Sequence, residues 1–227
     1  MPTGNFGDIL AGYYAKQMGL PVGRLVCASN KNNVLTDFLR TGTYDARRTF
    51  YKTTSPSMDI LISSNLERLL YHVSGSSEKV AGWMQELSAT GKYTVDAETL
   101  AKIQQSFAAG YADDADGAAE IKARFDGDHY LCDTHTAVAF RVAETRRTDA
   151  PMVVLSTASP FKFPRDVLTA LGVEAPASDF AAMAALTAGT GAEAPPRCVS
   201  WISSRCGSRP CCSPPTSAPR LFVKSNN

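Results

Sequence analysis

Two glycines bracket an asparagine and a phenylalanine in Thr3-Gly4-Asn5-Phe6-Gly7-Asp8, just ahead of apolar residues Ile9, Leu10, Tyr13, Tyr14 and Met18 at helical spacing. A helix starting at such a loop leaves its first backbone N–H groups without intrahelical partners, and its dipole adds positive potential at the same point. Glycine at 4 and 7 admits a positive-φ turn and a close approach of backbone to an oxygen. The chemistry this pattern supports is anion capture, with phosphate as the natural ligand. A plain tight turn at a helix start uses the same residue types, so the loop alone leaves both readings open. No Lys-Ser/Thr follows it and no Gly-x-Gly-x-x-Gly occurs, which sets aside a Walker-type nucleotide loop and a dinucleotide fingerprint.

Further polar groups stand where they could join such a site. Asn30, Asn32 and Asn33 follow the short apolar run Arg24–Ala28 and either reach the same crevice or form Asx turns that cap the next helix. Ser55, Ser57 and Arg68 could meet a second phosphate, since a guanidinium fork suits that group; a solvated arginine on a long helix is the plainer account. Asp133 reads as a helix cap. His135, two residues on, has the chemistry of a proton shuttle, but no partner is visible in the sequence and a structural role is expected. His72 and His129 lack neighbours at ligand spacing, and no metal site is expected.

The elements that must position these groups follow from apolar period and capping signals. Helices are predicted over 8–18, through Val34, Leu35 and Phe38, and over 57–74, 77–90, 96–110, 115–125 and 133–146. A last one runs from Pro164 to Leu171, stopped by Gly172. Residues 24–28 and 152–155 are continuous apolar runs of strand length. Strands of that kind separated by helices predict an α/β class, a parallel sheet with helices on both faces.

From about residue 191 the character changes: no Asp or Glu follows Glu193, and Pro, Ser, Arg and Cys mix without period. Residues 1–190 are expected to form the folded unit, with 191–227 a disordered tail or the product of a shifted reading frame. Cys198, Cys206, Cys211 and Cys212 crowd that tail, whereas Cys27 and Cys132 stand alone; their spacing fits no zinc ribbon, and reduced thiols are expected.

The formal net charge of +1 provides no field to attract nucleic acid or an anionic membrane. No apolar run reaches the length of a membrane span, and the first residues lack a secretory pattern. The expected compartment is the cytoplasm. Nothing in the sequence addresses oligomeric state.

Several long stretches carry a family resemblance: PTGNFGDILAGYYAKQMGLP, ASNKNNVLTDFLRTGTYD, TTSPSMDILISSNLERLLYHVSG, DTHTAVA and LSTASPFKFP. In order and content they resemble the C-terminal half of bacterial threonine synthases from residue 1 to about 175. The resemblance implies a fold-type II pyridoxal-phosphate fold, tryptophan synthase beta-like, with its N-terminal part missing here. It implies the conversion of O-phospho-homoserine and water to threonine and phosphate with pyridoxal 5'-phosphate. Gly4, Asn5, Phe6 and Gly7 would hold the cofactor phosphate, and Thr157 would hydrogen-bond the pyridine nitrogen. That threonine ends a predicted strand, where ligands of open α/β sheets bind.

The family's lysine lies upstream of the glycine loop in a Phe-Lys-Asp context that has no match here, and Lys162 belongs to a different signature. No residue of this chain is therefore assigned the catalytic role. The loop begins two residues after Met1, so it is expected to be tethered on one side only and to bind the cofactor weakly. The alternative is a non-catalytic fragment or a phosphate-binding module.

Overall fold

The computed structural model describes residues 1–196 and the backbone of Leu221–Val223. Along the chain run α1 (Gly7–Gln17), β1 (Leu25–Ser29), α2 (Val34–Thr41), β2 (Thr43–Asp45), a 3-10 turn (Pro56–Met58), α3 (Leu66–Ser74) and α4 (Ser77–Thr90). There follow β3 (Lys92–Thr94), α5 (Ala97–Ser106), β4 (Phe107–Tyr111), α6 (Asp114–Asp128) and α7 (Thr134–Glu144). The chain continues through β5 (Val153–Leu155), a second 3-10 turn (Pro160–Lys162), α8 (Pro164–Ala170), α9 (Asp179–Thr190) and β6 (Leu221–Val223).

β1 and β4 pair in parallel, with Leu25 opposite Phe107 and Ser29 opposite Tyr111. Side chains alternate across that sheet, as the pleat requires. Leu25, Cys27, Phe107 and Ala109 enter one core with Ile9, Leu10, Phe38, Leu69 and Ile103. Ala28 enters the other with Ile121, Val138, Val142 and Leu168. Helices thus cover both faces, and the α/β class expected from the sequence is the one observed. β2 and β3 form a small antiparallel pair, and β5 pairs antiparallel with β6, so the run at 152–155 does not join the parallel sheet expected of it and Thr157 follows an antiparallel strand.

Three further expectations are corrected. The helix expected over 57–74 begins only at Leu66. Ahead of it, the Ser63 N–H goes to the Tyr44 hydroxyl at 2.9 Å and the Ser64 N–H to Asn5 Oδ1 at 2.7 Å. Tertiary acceptors thereby take N–H groups that a helix would have turned on itself. The helix expected over 96–110 stops at Ser106, and Phe107–Tyr111 is a strand. Alanine and glycine favour no strand there; pairing with β1 and the packing of α7 decide it, since a Cβ on Gly110 would lie 2.7 Å from Val142 Cγ1.

The third correction concerns the glycine loop. Met1–Thr3 runs alongside β1: the Thr3 N–H donates to Ala28 O at 2.8 Å, and the Ala28 N–H donates to Met1 O at 3.0 Å. The bridge between Pro2 and Ala28 is parallel. The loop is therefore fixed on both sides, by this short stretch before it and by α1 after it. Helix α9 and strands β2 and β3 had no prediction.

The division at residue 190 falls at the end of α9. Most of 191–227, with its four cysteines, lies outside the described residues; within it, Leu221–Val223 forms β6.

Candidate functional site

The site begins where Met1–Thr3 and β1 end. Phe6, the N-cap of α1, lies in the left-handed region at φ 62°, and its side chain makes no capping hydrogen bond. The positive φ expected of a glycine falls on Phe6, while neither Gly4 nor Gly7 adopts it. Burial explains the choice, because the Phe6 ring is 0% exposed and packs 5.7 Å from Phe107, centroid to centroid. A left-handed N-cap without a side-chain acceptor leaves the first N–H groups of α1 for an external anion. Leu10 is the first residue to return its N–H, to Phe6 O at 3.1 Å. Exposed Asp8 in the first turn sets a carboxylate near the same point.

Gly4 serves close approach. A Cβ there would lie 2.8 Å from Ser57 O and 2.9 Å from Met58 Cα, both backbone atoms that cannot swing aside. Asn5 is exposed and tied to the segment before α3: its Oδ1 also accepts from Ser64 Oγ at 2.9 Å, and its backbone O accepts from Asn65 Nδ2 at 2.8 Å. Arg68, exposed on α3, donates to Asn65 Oδ1 at 2.5 Å. It also donates to Ser64 O at 3.5 Å, so it reaches the loop through Asn65 and Ser64 and touches none of residues 4–7 by a hydrogen bond of its own.

At the carboxyl end of β1, Asn30 is 1% exposed. Its Oδ1 accepts from the Asn32 N–H at 2.9 Å, the Asx turn expected from sequence. Its Nδ2 lies 2.7 Å from Asp59 Oδ1 and 2.8 Å from Thr53 Oγ1. Asn32 Nδ2 donates to the same Asp59 oxygen at 2.9 Å, and the Thr53 N–H donates to Asp59 Oδ2 at 2.8 Å. Asp59 thus gathers the asparagines and the 53–59 segment around one carboxylate. Ser55, buried, has its hydroxyl 3.1 Å from Asn30 Nδ2 and is spent within this network, while Ser57 is exposed. Asn33 stands apart, accepting from Arg48 Nη1 at 3.0 Å.

Asp133 caps α7 as expected: its Oδ1 accepts from the His135 N–H at 2.8 Å and the Thr136 N–H at 3.3 Å. His135 has the partners its sequence context did not show. Its Nε2 accepts the Ser57 N–H at 3.1 Å, and its Nδ1 lies 3.1 Å from Asp133 Oδ1. Its ring sits 4.9 Å from that of Phe163. Thr157, exposed in the loop after β5, belongs to the same stretch that carries Phe163. The structure therefore links the Gly4–Gly7 loop and the Thr157 stretch through Ser57, His135 and Phe163.

His72 edges onto Tyr14 at 5.1 Å, and His129 is the left-handed C-cap of α6. Lys162 is exposed, its Nζ 5.3 Å from the Phe163 ring. Burial pushes the Cys27 thiol up to about 11, and burial together with the Asp133 charge raises that of Cys132, so both stay protonated at neutral pH. Tyr44, raised to about 12 by burial, uses its hydroxyl to hold Leu61 O at 2.9 Å and the Ser63 N–H. Sequence reasoning missed Asp59, Thr53 and Tyr44. Asp59 was hidden inside the predicted helix, and no local signal pairs it with residues nearly thirty positions back.

The chain as a whole is similar to known proteins. Residues 136–190 match the family described as "Threonine synthase, C-terminal". The chain is 42% identical over 180 residues to threonine synthase of Pseudomonas aeruginosa, covering 78% of this chain and 38% of that protein. It is 40% identical over 177 residues to "Threonine synthase-like 1" of Pongo abelii, covering 77% of this chain and 24% of that one. Among solved structures it resembles the pyridoxal-phosphate-bound threonine synthase from Brucella melitensis, with TM-score 0.74 and 45% identity. That superposition covers 80% of this chain and 40% of that chain. The chain thus spans about a quarter to two-fifths of the length of these relatives.

Proposed function

We propose that this chain, the counterpart of the C-terminal region of a threonine synthase, forms the phosphate-holding and ring-facing side of a pyridoxal-phosphate site. The enzyme it would serve converts O-phospho-homoserine and water to threonine and phosphate. The observation that carries the reading is the uncapped start of α1, with Phe6 in the left-handed region and Gly4 pressed against Ser57 and Met58. Those residues fit a phosphate ester: the N-cap Phe6 makes no side-chain hydrogen bond to the first N–H groups, and the loop backbone is fixed by Met1–Thr3 and by Ser64.

In this reading the N–H groups of Gly7, Asp8 and Ile9 bind the cofactor phosphate, and the Thr157 hydroxyl faces the ring nitrogen. A hydroxyl there, unlike a carboxylate, leaves that nitrogen largely unprotonated. Bound pyridoxal phosphate supplies an electron sink for the substrate's reacting carbons. The asparagine network around Asp59 keeps the crevice edge rigid, so that little ordering is left for the moment of binding. The family's lysine has no counterpart among these residues, and turnover requires a part that carries it. The compartment in this reading is the cytoplasm.

The test titrates the full chain with pyridoxal phosphate, with inorganic phosphate as competitor. Binding that phosphate displaces is expected, weakened about tenfold or more in Gly4→Ala, because an overpacked methyl costs about 1–3 kcal/mol. Thr157→Val should change the cofactor's absorbance and leave phosphate competition intact. Affinity unmoved by Gly4→Ala would remove the loop from the site. Threonine formation on mixing with a lysine-bearing N-terminal part of a relative is expected; none on mixing would favour a non-catalytic fragment.

A further inference from the structure

We propose that His135 is a positioning residue that sets the Gly4–Gly7 loop and the Thr157 stretch relative to one another, held by Asp133 in the tautomer that carries its proton on Nδ1. As a statement about cofactor binding, this rests on the function proposed above.

The tautomer follows from the partners. A backbone N–H can only donate, so Nε2, 3.1 Å from the Ser57 nitrogen, must be the bare nitrogen. Nδ1 then bears the hydrogen and donates to Asp133 Oδ1, a carboxylate that is 0% exposed and anchored as the cap of α7. The Thr136 hydroxyl donates to the other carboxylate oxygen, which leaves Asp133 no freedom to turn away. With both nitrogens engaged and the residue 3% exposed, His135 does not exchange protons with a ligand. Its work is geometric.

Each contact bears on one side of the proposed site. The Ser57 N–H that His135 holds belongs to the residue whose carbonyl would lie 2.8 Å from a Cβ on Gly4. A shift of Ser57 therefore moves the backbone on which the glycine loop rests. On its other side the ring packs against Phe163, the last residue before α8, in the stretch that begins near Thr157. Phe161 in that stretch is buried and its N–H is held by Ser159 Oγ at 3.3 Å, so displacement at Phe163 is passed along a constrained segment. One imidazole thus spans two chain segments about a hundred residues apart, which no capping role for Asp133 requires.

The experiment compares the full chain with His135→Gln and His135→Ala. Glutamine returns an acceptor oxygen near the place of Nε2 for the Ser57 N–H, and alanine returns none. Pyridoxal-phosphate affinity is expected to fall about tenfold in the alanine variant, the loss of one supporting hydrogen bond, and to stay within about threefold in the glutamine variant. Equal losses in the two variants, or wild-type affinity in alanine, would overturn the proposal. Nitrogen-15 NMR of the cofactor-free chain reads the same claim separately. The His135 resonances should show a bare Nε2 and a protonated Nδ1, and His135→Ala should move the amide signals of Ser57 and of Gly4–Gly7. The opposite tautomer, or unmoved loop amides, would sink it. Should the wild-type chain fail to bind the cofactor, the proposed function falls, and the NMR result decides the positioning role alone.

Discussion

Phe6 sets backbone strain against burial at one residue, and substitution separates the two. A left-handed backbone costs a non-glycine residue about 1–2 kcal/mol, and Phe6 bears it at φ 62°. Against that stands a ring fully removed from water, whose truncation to alanine costs about 3–5 kcal/mol. Phe6→Ala loses the ring and keeps the strain. Phe6→Gly loses the ring and relieves the strain, but it loosens the unfolded chain by about 0.4–1 kcal/mol. Glycine should therefore be the more stable variant by about 0.5–1 kcal/mol, the reverse of their order inside a helix. Both should fall about 2–5 kcal/mol below the wild type.

Urea unfolding followed by tryptophan fluorescence reads the ranking, since Trp83 lies in the same core as Phe6. Cofactor titration reads the loop: Phe6→Gly keeps the backbone geometry accessible and should bind more tightly than Phe6→Ala. Alanine equal to or more stable than glycine would refute the claim that the strain at Phe6 is real and offset by its burial.

Two further predictions concern the scaffold. Arg124 donates to Glu120 at 2.6 Å, Asp128 at 2.8 Å and Glu144 at 2.6 Å, tying α6 to α7, so Arg124→Met leaves Glu120 buried without its cation and should cost about 3–5 kcal/mol by urea unfolding, with Glu120→Gln restoring part of it. Asp96 caps α5, and its carboxyl is held down to about 2 from the ordinary 3.8 by the Thr99 N–H and Lys79; its contribution is present above 3.8 and lost as pH falls through about 2, so Asp96→Ala should cost about 1 kcal/mol near neutral pH and almost nothing in strong acid.

Helices with strong punctuation were legible in the sequence. Asp133 before an apolar period fixed the start of α7, and Ser76 and Asp96 mark the starts of α4 and α5 by accepting from the Lys79 and Thr99 N–H groups. What failed was local preference under tertiary contest. Phe107-Ala108-Ala109-Gly110-Tyr111 looks like the end of a helix until β1 offers it a ladder. Residues 59–65 carry helix-compatible apolar spacing, yet their polar groups found partners in Asn5, Asn30, Asn32 and Tyr44 that are remote in sequence.

The same division holds at the site. The sequence by itself determined that a glycine-bracketed loop at residues 4–7 runs into a helix, because glycine spacing and helical period are local properties of the chain. It also carried, through long specific stretches, the likeness to threonine synthases. Only the tertiary structure decided that Phe6 takes the left-handed turn, that Gly4 is needed for its contact with Ser57, and that Asp59 and His135 hold the surrounding segments. Each of those depends on which backbone atoms are brought within hydrogen-bond or van der Waals distance, and that is set by the packing of distant segments.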